Sequence, residues 1–420
     1  MTREVPTCVL LLAAGAGWEE AALRSVGPGS GVVVVKRCID LHDLLATAAS
    51  GQADVAVVAA AADGLDRPAV EHLRRAGLAT VLVVEPASQA AVERGGGAGA
   101  DLVLASHQVA ELPAHVRGMR STMAQETPTP TPDGPLRAPG TAPAVAVWGP
   151  TGAPGRTTVA LGLAGALAAR GQDPLLLDLD PYAGTVAQHL GVLDDVSGLL
   201  ASSRRWLAGD LDGAFVSLQR RVGGIRVLTG LPRADRWAEL AAGLAEELLA
   251  QGRRQGPVVA DLGWCVEEDP AAEHTGRAGR HDLTRDTLAA ADVVVAVGTA
   301  DPVGLTRLVR SLAELREIGS APVPHVVVNR MRRSLGWEPG QVIDLLSRCG
   351  PLRGISLLPE ARGTLDRAMV TGRGVAELGE SELSRGFDAL VDALLPGAPP
   401  RPGRGGLALR RRRAGTGHPR

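Results

Sequence analysis

AVAVWGPTGAPGRTTVALGLAGALAAR, residues 144–170, is the most informative segment of this sequence. Its first five residues are apolar and predict a buried strand, and the apolar run after Arg156 predicts a helix. The loop between them has glycines at positions 149, 152 and 155. Glycines let consecutive backbone N–H groups curl toward an anion, and the helix N-terminus adds the positive end of its dipole. The segment therefore predicts a phosphate-binding turn between a strand and a helix.

Polar side chains lie near the ends of three later predicted strands. Asp178 and Asp180 end one of them, and a period of two along a strand turns both carboxylates to the same side. Asp261 and Asn329 end two others. In an open α/β sheet, ligands bind at the carboxyl ends of the parallel strands. The strands predicted in this half of the chain are residues 144–148, 174–179, 225–228, 257–263, 291–297, 325–331 and 355–359.

This ordered set of motifs resembles the deviant-Walker-A ATPases of the ParA/MinD superfamily over residues 144–396. The resemblance implies that the chain binds ATP and Mg²⁺, and it implies a role for each matching residue. The nucleotide would contact Gly152, Ala153, Pro154, Gly155, Arg156, Thr157, Thr158, Asn329 and Pro359. The catalytic carboxylates would be Asp180, which orients the attacking water, and Asp178 and Asp261, which hold the Mg²⁺ shell with Thr157.

The phosphate loop departs from the pattern of that superfamily, xKGGxGK[ST], at both lysines. Thr151 replaces the first lysine and Arg156 the second. Arginine keeps the charge, but its planar fork is bulkier than an ammonium group and presents its donors in a fixed geometry. Because phosphoryl transfer depends on accurately placed positive charge, we expect hydrolysis to suffer more than binding. ATP hydrolysis is therefore expected to be weak or absent.

Residues 1–120 form a second pattern of short apolar runs alternating with helical stretches. The predicted strands are residues 9–12, 32–35, 54–59, 80–84 and 101–104, and the predicted helices include residues 40–49 and 67–76. Such alternation predicts a doubly wound parallel sheet, and the number of units resembles a response-regulator receiver domain. A phosphorylatable receiver would need acidic residues where this chain has Ala13, Ala59 and Ala60, and a lysine near Ser106. We interpret the region as a pseudoreceiver; an unrelated small α/β domain is the alternative.

The fold class predicted for the chain is therefore α/β, with two doubly wound parallel-sheet domains. A Pro/Thr-rich segment, residues 121–143, joins them as a disordered linker. Residues 397–420, which include four consecutive arginines at 410–413 and no acidic residue, are predicted to be a disordered basic tail. Residues 264–285 are rich in polar groups but lack a metal-ligand spacing, so we interpret them as a surface insertion.

Bulk properties favour a cytoplasmic protein. The net charge is -2, the four cysteines are scattered without a CxxC pair, and no apolar run has the length of a membrane span. The aromatic content of 2% means that the cores must be built from Ala, Val and Leu. Recruitment to the inner face of the membrane or to a cell pole is compatible with this composition.

A pseudoreceiver joined to a degenerate ParA/MinD domain resembles the CpaE/TadZ group. That resemblance implies a homodimer that localises or assembles a Flp-type (tight adherence) pilus or a related secretion system, and binds pilus assembly proteins through the pseudoreceiver. The alternative is a chromosome-partition or septum-site-determining ATPase that binds DNA or membrane in a nucleotide-switched manner. The basic tail could contact phosphates in that case, although a solvated end is the simpler interpretation.

Overall fold

The computed structural model describes residues 6–26, 30–48, 51–85, 99–126, 142–152, 155–182, 184–192, 196–269 and 278–401. Two sheets are present, one before and one after the Pro/Thr-rich segment, and both are flanked by helices. The predicted α/β class is confirmed. A separate hydrophobic core lies on each face of each sheet, as expected for strands that are buried on both sides.

The first sheet has five parallel strands in the order β2-β1-β3-β4-β5. Its strands are β1 Thr7–Leu12, β2 Val32–Arg37, β3 Val55–Ala59, β4 Ala79–Val84 and β5 Leu102–Ala105. Its helices are α1 Glu19–Ser25, α2 Leu41–Ala48, α3 Arg67–Arg75 and α4 Leu112–Glu126, with a 3₁₀ turn at Ser106–Glu111. This is the flavodoxin-like strand order of doubly wound sheets. The predicted strands match these bounds to within two residues.

Helix α4 runs six residues into the segment that the sequence predicts to be a linker. Residues 121–126 contain neither Gly nor Pro, so nothing in them stops a helix. The first proline is Pro128, and the residue before a proline disfavours the α conformation, which accounts for the helix ending at Glu126. Residues 127–141, the rest of the predicted linker up to Ala142, lie outside the described residues.

The second sheet has eight strands in the order β13-β12-β11-β6-β10-β7-β9-β8. Its strands are β6 Ala144–Trp148, β7 Leu175–Leu179, β8 Arg220–Val222, β9 Ile225–Leu228, β10 Val258–Leu262, β11 Val293–Thr299, β12 His325–Met331 and β13 Gly354–Pro359. Its helices are α5 Arg156–Ala169, α6 Val186–His189, α7 Gly198–Ala208, α8 Leu211–Ala214, α9 Leu244–Gln255, α10 Asp282–Ala290, α11 Pro302–Glu317, α12 Pro339–Ser347, α13 Arg362–Thr371 and α14 Glu382–Leu394.

Strand β8 makes this sheet mixed, whereas the sequence predicts a parallel sheet. It pairs antiparallel with β9 across a two-residue turn at Gly223 and Gly224. Both glycines have positive φ, 57° and 80°, which is the backbone of a tight hairpin turn. The Gly-Gly pair is the local signal for this hairpin, but a three-residue strand is too short to show a hydrophobic period.

Strand β6 lies in the middle of this sheet between β10 and β11. Helix α5, which follows it, is apolar on nearly all sides because it packs between the sheet and α14. Gly162 makes that packing possible, since a Cβ there would lie 2.2 Å from a ring carbon of Phe387. The phosphate loop therefore connects a central strand of the sheet to a helix that is packed between the sheet and α14.

A contact between α3 and α7 links the two sheet units. The Arg67 guanidinium lies 3.2 Å from the ring centroid of Trp206 and donates a hydrogen bond to the Trp206 carbonyl at 3.3 Å. The Trp206 indole N–H donates in turn to the carbonyl of Ala242 at 3.0 Å. Cation–π contacts of this kind contribute most when both groups are withdrawn from water.

The first residues of the predicted basic tail are packed rather than free. The Ala398 N–H donates to the Leu395 carbonyl, and Arg401 forms an ion pair with Asp388 at 2.7 Å. Residues 402–420, including the four arginines, lie outside the described residues. In the part of the chain that the structure describes, no helix combines the length and apolarity needed to cross a membrane.

Candidate functional site

The phosphate loop leaves β6 at Trp148 and enters α5 at Arg156. Gly149 is pressed against the neighbouring strand, where a Cβ would lie 2.3 Å from the Val297 carbonyl oxygen. The Arg156 side chain turns back into the loop and donates to the carbonyls of Gly149 and Pro150, both at 3.2 Å. Its guanidinium also lies 3.7 Å from a carboxylate oxygen of Asp180. Arg156 is thus held by loop carbonyls on one side and by an acid on the other.

Asp178 and Asp261 face each other in register on β7 and β10. Both are almost fully buried, with side-chain oxygens Asp178 Oδ1 and Asp261 Oδ1 that have no hydrogen-bond partner within the described residues. The Thr157 hydroxyl is close enough to the Asp261 carboxylate to lower its pKa. Buried carboxylates without partners are costly unless a cation or a proton compensates them.

The electrostatics of this pair favour a proton when no cation is present. Burial raises the pKa of Asp261 to about 7, and Asp180 adds to this effect, while the Thr157 hydroxyl and the Arg156 charge oppose it. Burial likewise raises the pKa of Asp178 well above its ordinary value, with the charge of Asp261 as the next cause. Two ionised carboxylates in such a site repel each other, and a divalent cation bound between them would remove this repulsion.

Asp178 is the more enclosed of the two acids. Its Oδ2 accepts a hydrogen bond from the Val186 N–H at 3.1 Å. Gly184 and Gly230 lie directly against its carboxylate, and a Cβ on Gly184 would lie 1.7 Å from Asp178 Oδ1. These two glycines leave just enough room for the acid, so Asp178 occupies the inner position and Asp261 the position next to the loop.

Asp180 is bonded to the backbone of Tyr182, whose side chain belongs to an aromatic cluster that no sequence motif predicts. Its Oδ1 accepts from the Tyr182 backbone N–H at 2.9 Å, and the Tyr182 hydroxyl shares a hydrogen bond of 2.8 Å with Nε2 of His281. The Tyr182 ring stacks on Trp264 at a centroid distance of 5.6 Å. Tyr182 is the only tyrosine in the chain. The cluster ties the turn that carries Asp180 to the segment after β10.

The segment after β10 is therefore not simply the polar surface insertion predicted from its composition. Cys265 and Val266 are buried, and the Trp264 carbonyl accepts a hydrogen bond from the Trp148 indole at 3.1 Å. The Arg285 guanidinium donates a hydrogen bond to the Val266 carbonyl at 2.6 Å. The described ends of this segment pack next to the phosphate loop because aromatic and apolar residues flank its charged centre. Residues 270–277 lie outside the described residues.

A cavity of about 340 Å³ opens beside the loop, and three residues assigned to the nucleotide line it: Thr158, Asn329 and Pro359. Leu161, Leu365 and Met369 contribute apolar surface, which suits a planar base. β12 carries a bulge here, because its pairing with β13 shifts between Val328 and Met331. At the bulge Arg330 has a φ of 59°, and its N–H donates to Asn329 Oδ1 at 2.9 Å. The bulge aims the Asn329 amide toward Gly155.

Gly155 joins the loop to this cavity. Its φ is 116°, and a Cβ there would lie 2.2 Å from the Asn329 side-chain nitrogen. We expect Gly155→Ala to lower the free energy of unfolding by about 2–3 kcal/mol, because strain and a clash add. Gly171→Ala is the matched control: its φ is 78° and nothing lies within 4 Å of an added Cβ, so about 1 kcal/mol is expected. Urea unfolding measures both, and equal losses would contradict the clash with Asn329.

The structure brings most of the predicted site residues together at one sheet edge. Arg156, Thr157, Asp180 and Asp261 meet at the loop, with Asp178 behind them, and Gly155 connects these residues to Asn329. The two buried carboxyl groups and the threonine hydroxyl form an oxygen-rich set that fits Mg²⁺. Ala153 and Pro154, also predicted to contact the nucleotide, lie outside the described residues.

The chain matches no protein-family profile, and no curated protein matches its sequence. Similar solved structures include the cell division ATPase MinD of Pyrococcus furiosus, with 18% identity, covering 60% of this chain and 98% of that one, at a TM-score of 0.47. The septum site-determining protein MinD from Pyrococcus horikoshii OT3 has 18% identity, covering 60% of this chain and 95% of that one, at a TM-score of 0.46. A ParA family ATPase from Chlorobium tepidum TLS has 15% identity, covering 59% of this chain and 98% of that one, at a TM-score of 0.47.

Proposed function

We propose that this chain binds ATP with Mg²⁺ at residues 149–158, turns it over slowly or not at all, and uses the bound state to organise other proteins. The observation that carries this proposal is the position of Arg156, which is bonded to two loop carbonyls and lies 3.7 Å from Asp180. A cation in this position can receive a phosphate, which favours binding. The same cation lies against the partly exposed Asp180 carboxylate, which could otherwise orient a water molecule, and this disfavours hydrolysis.

The other residues of the site fit this division between binding and turnover. Mg²⁺, when bound, would neutralise part of the phosphate charge. Thr157 and Asp261 would be the protein ligands nearest to the Mg²⁺ ion, since Gly184 and Gly230 enclose the Asp178 carboxylate. The nucleoside would occupy the cavity at Thr158, Asn329 and Pro359. Asn329 would contact the base with its side-chain amide, which lies at the mouth of the loop.

At the cellular level the proposal is a CpaE/TadZ-like localisation or assembly factor for a Flp-type pilus or related secretion system, acting as a homodimer. The first sheet supports it by its flavodoxin-like strand order and by alanines at the two strand ends, after β1 and β3, where a phosphorylatable receiver needs acids. A domain without that chemistry can still offer a surface to pilus assembly proteins. The chain would then be recruited to its site from the cytoplasm.

Isothermal titration with Mg-ATP, together with a steady-state hydrolysis assay, tests the biochemical part. We expect binding in the micromolar range (about -8 kcal/mol) with little turnover, and we expect Asp180→Ala to remove any turnover that remains. Binding with rapid turnover would contradict the role given to Arg156. No binding at millimolar ATP would contradict the nucleotide proposal as a whole.

The partition or septum-site alternative makes a different prediction. Its support is the basic segment at residues 402–420, which would contact nucleic acid through counterion release. Binding of duplex DNA that weakens steeply with salt, and that disappears when residues 402–420 are deleted, would favour this alternative. Unchanged behaviour of the deletion variant would favour the localisation factor.

A further inference from the structure

The loop has fewer free cations than a polyphosphate needs. Among residues 149–158 only Arg156 is charged, and its guanidinium is engaged with two carbonyls and with Asp180. Thr151, at the strand end of the loop, is neutral and exposed. The outer phosphates of a nucleotide carry most of its charge, so binding them calls for a second cation from elsewhere in the fold.

Helix α11 supplies a cation at this position. The helix starts directly after β11, where Asp301 caps it by accepting from the Gly304 N–H at 2.9 Å. Leu305 and Leu308 anchor it to the sheet. Arg307 then reaches over the loop, and its guanidinium lies 3.4 Å from the Thr151 carbonyl oxygen. Within the described part of the chain, Arg307 forms no ion pair with a carboxylate.

Gly152 makes room for this arginine. Its φ is 64°, and a Cβ there would lie 2.3 Å from a guanidinium nitrogen of Arg307. Glycine at this position therefore serves both the turn of the loop and the approach of the side chain. The base cavity adjoins the other, helical end of the loop through Thr158. Arg307 consequently lies at the end where the phosphates farthest from the base would be.

We propose that Arg307 is a phosphate-binding residue, which supplies from α11 the positive charge that the loop lacks at Thr151. The inference rests on the proposed nucleotide binding and adds the group that holds the outer phosphates. A carbonyl contact at 3.4 Å is weak enough to be given up for a charged oxygen, because charge-assisted hydrogen bonds are roughly twice as strong as neutral ones. Because Arg307 is bonded to the loop of its own chain, it would contact the nucleotide bound by that same chain.

The test compares Arg307→Gln with Arg310→Gln, which removes an exposed arginine one turn away on the same helix. Titrations with Mg-ATP, inorganic triphosphate and AMP are made on the full chain. Arg307→Gln should weaken ATP and triphosphate binding about tenfold or more and leave AMP binding within twofold. Arg310→Gln should leave all three within twofold, and Arg307→Lys should recover part of the loss.

Each other outcome overturns the inference in a recognisable way. If wild type binds ATP and Arg307→Gln binds it equally well, Arg307 has no role while the proposed function stands. If both glutamine variants weaken binding equally, only the general charge of α11 matters. If wild type binds neither ATP nor triphosphate, the proposed function fails and this inference fails with it. Circular dichroism and thermal melting confirm that the surface variants are folded.

Discussion

Asp261→Asn is expected to raise the stability of the nucleotide-free protein at neutral pH and to abolish its Mg²⁺-dependent binding of ATP. The pKa of this carboxyl is about 7 in the folded chain, against an ordinary value of 3.8. Between these two values the folded state keeps a proton that the unfolded chain has lost, so stability is present below pH 3.8 and is lost as the pH rises toward 7. Asparagine at position 261 carries no carboxylate, so the variant avoids this loss of folding stability, which is on the order of 2–4 kcal/mol at neutral pH.

Thermal melting between pH 5 and 8 measures this effect. The wild-type melting temperature should decrease with pH, while that of the variant should decrease less, since the buried Asp178 carboxyl remains, and should lie roughly 5–10 °C higher at pH 8. Added Mg-ATP should stabilise the wild type and leave the variant unchanged, because the variant lacks an anionic oxygen ligand. Asp180→Asn removes a nearby charge that adds to the raised pKa of Asp261, so its melting temperature should depend on pH less than that of the wild type and more than that of Asp261→Asn. A variant less stable than wild type at pH 8 would contradict the assignment.

Trp148→Ala is expected to cause the largest loss of stability, because it empties the core directly beneath the phosphate loop. Trp148 is fully buried and is the largest of the fully buried side chains. Truncation of a buried tryptophan costs about 3–5 kcal/mol, including the cavity that it leaves. The change also removes the hydrogen bond to the Trp264 carbonyl, which connects β6 to the segment carrying the aromatic cluster. We therefore expect ATP binding to be lost together with stability.

Trp206→Ala is the control that distinguishes the loss of stability in Trp148→Ala from its loss of ATP binding. Trp206 is also buried and also donates its indole N–H to a backbone carbonyl, but it lies on α7, away from the loop. A similar loss of stability is expected, with ATP affinity retained at temperatures where the variant is folded. Urea unfolding and calorimetry at 10 °C measure both quantities. Equal losses of ATP affinity in the two variants would show that general destabilisation, rather than support of the loop, is responsible.

Much of the candidate site could be predicted from the sequence because its residues lie at strand ends. A buried parallel strand is a short apolar run, and a polar residue at its end lies at the carboxyl edge of the sheet. Asp178, Asp261 and Asn329 are predicted at strand ends for this reason, and the structure places each at that edge. Strand β8 is not predicted from the sequence, because it has only three residues. The predicted linker overlaps the last six residues of helix α4, because the linker composition was given more weight than the absence of helix breakers in residues 121–126.

The remaining features depend on contacts between segments that are far apart in the chain, and no local pattern encodes them. Arg307 reaches Thr151 across 156 positions of sequence, and Tyr182 meets His281 across 99. Whether Arg156 turns into the loop is set by the carbonyls and the acid that surround it, not by its neighbours in sequence.

Local propensity and hydrophobic period are properties of a few consecutive residues, so strands, helices and the glycine loop follow from the sequence alone. The direction of a long charged side chain and the pKa of a buried acid depend on everything packed around them. For this protein, the order of the secondary-structure elements and the sheet edge that carries the site can therefore be predicted from the sequence. The pairing of Arg156 with Asp180, the enclosure of Asp178 and the approach of Arg307 follow only from the packed fold.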